Sequence, residues 1–109
     1  IFKLTHKTMK KIINGKKYDT ETAKEVARNT WGYYGDLNFV AETLYKKKTG
    51  EYFLYAEGGA NTIYATQCGC NSWGSGERIT PLTENQAKKW GEENMDGDTY
   101  EDVFGVVEE

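Results

Sequence analysis

The sequence predicts an α+β fold in which an antiparallel sheet of about five strands, in the order ββαβββαα, is packed with short amphipathic helices. Three observations predict it. Aromatic and β-branched residues alternate with polar ones through the middle of the chain, glycine-containing turn signals separate the short runs, and apolar residues recur at helical spacing on either flank. A chain of 109 residues fits one domain, and a domain of that size buries about two-thirds of the surface its unfolded form exposes, enough for one modest core. Aromatic residues make up 14% of the chain against 38% hydrophobic residues in all, so rings are expected to supply much of the buried area.

Residues 1–8 read unlike the rest, and Met9 stands where a translation start is natural. They are expected to be a disordered leader or extension, with 9–109 as a single α+β domain. Asn14-Gly15 supplies the positive φ values of a tight hairpin turn, between strands at about 10–14 and 16–19. Asp19 or Thr20 can cap a helix, and Ala23, Val26, Ala27, Thr30 and Trp31 follow the spacing of one helical face. A helix is therefore expected to run from about residue 20 to Gly32.

The clearest hairpin joins Phe39–Lys46 to Glu51–Ala56 through Lys48-Thr49-Gly50. Its aromatic and β-branched content places it at the centre of the sheet. Five glycines between residues 57 and 76 mark irregular loop around one short strand at Thr62–Thr66. Glu77–Thr80 returns as a last strand, and Pro81 suits an edge or a strand end. Thr83 with Gln86 forms a capping box for a helix over about 84–94 that buries Ala87, Trp90 and Gly91. Asp98 with Glu101 repeats the capping logic before a final helix whose stripe is Tyr100, Val103 and Phe104, ended by Gly105.

Net charge is −3, but its distribution is lopsided. Residues 1–48 hold eleven Lys/Arg against five Asp/Glu, and residues 49–109 hold three against twelve. The acidic end suits a basic partner. No run approaches the roughly 20 apolar residues of a membrane span, so no membrane partner is expected. Cys68 and Cys70 are too few and too close for a disulfide framework. Both observations fit a cytoplasmic location.

Candidate chemistry is sparse. Cys68-Gly69-Cys70 offers two thiolates where a structural zinc needs four ligands, and the only histidine is His6. No metal site and no cofactor are expected. The carboxylates from Asp96 to Asp102 alternate like the start of a calcium loop, but lack its sixth-position glycine and twelfth-position glutamate, so capping explains them better. Gly58-Gly59 and Gly74-Ser75-Gly76 lack the phosphate-cradling pattern and read as turns. Glu42 and Glu57 are candidates for a carboxylate pair across the sheet, although strand alternation alone puts such residues on a solvated face. With no credible nucleophile and base, catalytic residues are not expected.

Two surfaces remain. Glu92, Glu93, Asp96, Asp98, Glu101 and Asp102 decorate the C-terminal helices and form the candidate protein interface, able to imitate the charge of DNA, although charge runs of this kind more often form a solvated, well-capped helix face. Lys16, Lys17, Lys46, Lys47 and Lys48, with Tyr33, Tyr34 and Trp73 as stacking faces, form the alternative, a nucleic-acid surface. A pI of 5.3 argues against the alternative, and lysines at hairpin tips also protect strand edges.

Lys11–Thr20, Glu42–Tyr45, Glu57–Ala60, Pro81–Glu84 and Tyr100–Gly105 together resemble a family of small proteins from phages, plasmids and conjugative transposons of Gram-positive bacteria. The resemblance covers Met9 to Glu109. It implies a mobile-element neighbourhood and no activity, with counter-defence as a role by association. The expected function is thus a non-enzymatic protein-interaction module whose partner is a host or element-encoded protein.

Overall fold

The structure is a computed structural model that describes residues 9–33, 35–67, 69 and 72–109. Its elements, in order, are β1 (Lys10–Ile13), β2 (Lys16–Asp19), β3 (Lys24–Trp31), β4 (Val40–Lys46), β5 (Tyr52–Gly58), β6 (Thr66–Gln67), β7 (Trp73–Gly74), β8 (Gly76–Leu82), α1 (Glu84–Asn94) and α2 (Gly97–Phe104). The fold is α+β, as expected. Among the described residues the main sheet has four antiparallel strands in the order β3-β4-β5-β8, and β1-β2 and β6-β7 are separate two-stranded ribbons.

The central hairpin sets both faces. Pairing of Leu44 with Leu54, and of Tyr45 with Phe53, sends alternate residues to opposite sides. On one side Tyr45, Phe53, Tyr55 and Ile79 meet Tyr18 from the β1-β2 ribbon. There Tyr45 stacks on Phe53 with centroids 5.1 Å apart, and Tyr18 meets the same ring edge-on at 5.5 Å. On the other side Leu44 and Tyr52 pack under Ala87 and Trp90 of α1. The sheet is therefore sandwiched between a ribbon and a helical layer.

The turn chemistry follows the sequence. Asn14 and Gly15 take φ of 52° and 77°, and Gly50 takes 94°. Thr83 and Gln86 make the expected capping box. The cap of α2, however, is Asp96, whose side chain accepts from Thr99 N at 2.8 Å. Asp98 lies inside the first turn instead. Proline 81 is on an edge strand, as its missing N–H requires.

Residues 24–31 are a strand and not the expected helix. The reason is a β-bulge between Glu25 and Ala27. It leaves Val26 and Ala27 both packed against the helix-side core, which imitates helical apolar spacing. Asp19 does not start a helix either: its carboxylate accepts from Glu21 N at 2.9 Å and its carbonyl from Ala23 N at 3.1 Å, closing a turn. The strand expected at 62–66 is likewise mostly turn, and only Thr66 and Gln67 pair. There Thr62 Oγ1 accepts from Tyr64 N at 3.2 Å and donates to Gly59 O at 2.8 Å.

Phe53 is fully buried in the ring cluster whereas Ile12 is 63% exposed. Phe53→Ala should therefore lower unfolding free energy by about 3–5 kcal/mol in urea titrations, while Ile12→Ala should change it by no more than about 0.5 kcal/mol.

Candidate functional site: a carboxylate-lined cleft at the open end of the sheet

The two ends of the sheet differ. One is closed by the tight turn at 47–50, the other carries the long connections 32–39 and 59–75. At this open end the connections are tied together by backbone hydrogen bonds. Gly59 N donates to Phe39 O and Asn61 N to Leu37 O, both at 2.8 Å. The approach is so close that a Cβ on Gly59 would lie 2.5 Å from the carbonyl oxygens of Asp36 and Leu37. Only glycine fits there. Gly58 and Gly76, at the facing ends of β5 and β8, are crowded in the same way by Thr62 and by the Tyr64 carbonyl.

This construction leaves a cleft of about 760 Å³, lined by Asp36, Leu37, Phe39, Glu57, Trp73, Glu77 and several glycines. Glu57 and Glu77 are directly opposite each other on β5 and β8, a position where side-chain Cβ atoms stand about 4.5–5.5 Å apart and like charges destabilise the sheet. The Tyr55 hydroxyl donates to Glu77 Oε2 at 2.8 Å. Burial, followed by that hydrogen bond and the charge of Glu57, holds the Tyr55 proton well above the usual phenol range. Tyr55 thus stays a donor and helps fix Glu77. Trp73, 58% exposed, and Leu37, 57% exposed, add apolar surface at the rim. Chemically the cleft offers carboxylate oxygens beside an indole face, a setting that favours cations.

The sequence reading of Glu42 and Glu57 as a pair is corrected here. Glu42 is opposite Ala56, and Glu57 is opposite Ala41, so the two carboxylates leave the sheet on opposite faces. Glu42 belongs to the helical side, where Trp90 Nε1 and the Tyr64 hydroxyl both donate to it at 2.8 Å. Burial and then the bond to Glu42 push the Tyr64 hydroxyl up to about 12. Glu42 is a strut between sheet, helix and loop.

The helix carboxylates are partly gathered. Glu92, Asp96, Asp98 and Glu101 line a groove of about 610 Å³ between α1 and α2, above Met95 and Tyr100. Two of them have structural employment: Asp96 caps α2, and Glu101 accepts from Val107 N at 2.9 Å. Hydrogen bonding from Thr99 holds the Asp96 carboxyl below its ordinary value. Glu93 lies 3.8 Å from Lys89. Asp102 is exposed on α2.

The candidate nucleic-acid residues are not brought together. Lys16, Lys17, Lys46, Lys47 and Lys48 sit at the closed end, Tyr33 and Trp73 at the open end, separated by the length of a seven-residue strand, about 20 Å. Tyr34, Cys68 and Cys70 lie outside the described residues, as does the 1–8 segment. Lys16 and Lys47 share one partner, with Nζ atoms 2.6 and 3.0 Å from the Glu51 carboxylate. Lys47 also lies 4.1 Å from the centre of the Tyr18 ring, and Lys46 5.5 Å from that of Tyr52. Among the described residues, no group of three or more His, Cys, Asp or Glu is arranged to hold a metal ion, and no helix is long and apolar enough to cross a membrane.

Sequence reasoning missed Asp36, Leu37 and Glu77 as cleft residues. Only the equal spacing of Glu57 and Glu77 from Tyr55 and Ile79, given the correct strand pairing, signals their meeting. Glu51 yields the pH prediction. Hydrogen bonds from Lys16 and then Lys47 hold its carboxyl at about 2, below its ordinary value of 4.5. A depressed folded value stabilises the protein fully above pH 4.5 and the gain disappears as pH falls toward 2. Glu51→Gln should remove that segment of the stability-against-pH curve, and about 1 M salt should shrink it in the parent protein because the pair is exposed.

Comparison with protein-family models, with curated proteins and with solved structures found no match to this chain.

Proposed function

We propose that this protein is a non-enzymatic interaction module that takes a basic segment of a partner protein into the cleft at the open end of its sheet. The observation that carries this reading is the Glu57–Glu77 pair, two carboxylates set directly opposite each other on neighbouring strands. Two carboxylates so placed concentrate negative charge at one point of the cleft, which suits a cation between them. Trp73 and Leu37 beside them suit the aliphatic stem and charged head of lysine or arginine.

The reading keeps the expectation of a basic partner while moving its centre from the helices to the sheet. The resemblance to mobile-element proteins makes the partner a host or element-encoded protein, with counter-defence as the setting. Nucleic-acid binding has less support, because Lys16 and Lys47 are spent on Glu51 and the stacking faces are at the other end of the sheet.

The test uses a short Lys/Arg-rich peptide as probe and calorimetric titration at low salt. The parent chain should bind it, with affinity falling as salt rises. Glu57→Gln together with Glu77→Gln should weaken binding about tenfold or more. Charge reversal of Glu92 and Asp98 should leave binding nearly unchanged. If the helix variant abolishes binding and the cleft variant does not, the cleft is not the site.

A further inference from the structure

Lysine and arginine carry the same charge in different shapes. The lysine ammonium is a compact, strongly hydrated point charge, whereas the guanidinium is planar, more weakly hydrated and presents its N–H donors in a rigid fork. The cleft at the open end of the sheet treats the two differently.

Glu57 and Glu77 are directly opposite each other on β5 and β8, which sets their Cβ atoms about 4.5–5.5 Å apart. Two neighbouring carboxylates match donors on two edges of one guanidinium, and charge-assisted hydrogen bonds of that geometry are the strong ones. The Tyr55 hydroxyl donates to Glu77 Oε2 at 2.8 Å and so restricts how that carboxylate turns. Both glutamates are half-buried. A cation bound between them gives up water, and the guanidinium loses less by doing so. Trp73 lines the same cleft and is 58% exposed, and indole is the best of the aromatic faces for a flat cation to stack on. Asp36, also on the cleft wall, accepts from Asn38 N at 3.0 Å through Oδ1. It adds attraction for any cation without selecting its shape.

We infer that the cleft selects arginine over lysine. One guanidinium of the partner segment bridges Glu57 and Glu77 and lies flat on the Trp73 indole, and Tyr55 is the residue that positions Glu77 for it. This specificity rests on the cleft's being the seat of a basic segment.

The test compares short peptides of the same length and net charge whose cations are all lysine, all arginine, or all asymmetric dimethylarginine, which keeps the charge but blocks bidentate hydrogen bonding. In calorimetric titration against the full chain at low salt, the arginine peptide should bind roughly five- to twentyfold tighter than the lysine peptide. Methylation should remove most of that advantage. Trp73→Leu and Tyr55→Phe should each weaken arginine binding about threefold or more and change lysine binding by less than about twofold, a contrast that general loss of structure does not produce. Equal affinities, tighter binding of lysine, or undiminished binding of the methylated peptide would overturn the inference while leaving the cleft as a site for any basic segment. An arginine preference that neither substitution reduces would overturn it too. Failure of all the peptides to bind would remove the cleft itself as the seat of a basic segment, and the specificity with it.

Discussion

The register of β4 against β5 is the constraint from which the other contacts follow, because side chains on a strand alternate with a period of two and a slip of one residue would exchange both faces. In the observed register Tyr45, Phe53 and Tyr55 reach the ribbon side while Leu44 and Tyr52 reach the helical side. The turn at 47–50 sets that register locally. Gly50 supplies its positive φ, and Gly50 N donates to Lys47 O at 2.8 Å. Neither face alone gives a large core. The two together give one hydrophobic layer above and one below the four described strands of the sheet.

The same register builds the cleft. It runs β5 to its end at Gly58, where β8 begins at Gly76, and so brings Glu57 and Glu77 side by side at the sheet's open end. Glycines there allow backbone to touch backbone, which lets the described parts of the two connections fold close against the strands. Glu42 works on the opposite face as a counterpart, holding Trp90 and Tyr64 by paired hydrogen bonds. One carboxylate thus ties helix and loop to the sheet, and two more, one of them held by Tyr55, stand at the rim on the other face.

Much of the architecture was legible in the sequence where the determinants are local. Asn14-Gly15, Gly50, the Thr83–Gln86 box and the apolar stripe of α1 each act within a few residues, and each is found as expected. Strand β3 was not legible because its bulge breaks the two-residue period and because its pairing with β4 is a long-range interaction that overrides local preference. The cap of α2 was displaced by two residues, since Asp96 and Asp98 carry the same chemistry and only backbone geometry separates them. For the cleft, Trp73 and Glu57 were noticed singly. Their association with Glu77 and Asp36 depends on strands and loops far apart in the chain, which composition and spacing do not encode.

Pro81 has a consequence for behaviour at high concentration. An endless ribbon built by joining sheets flank to flank requires two receptive sides on every molecule. Here the β8 side is blunted by a residue that lacks the needed hydrogen, so strand-by-strand growth through that side is disfavoured. The imino acid thereby acts as a chain stopper on its own edge of the sheet.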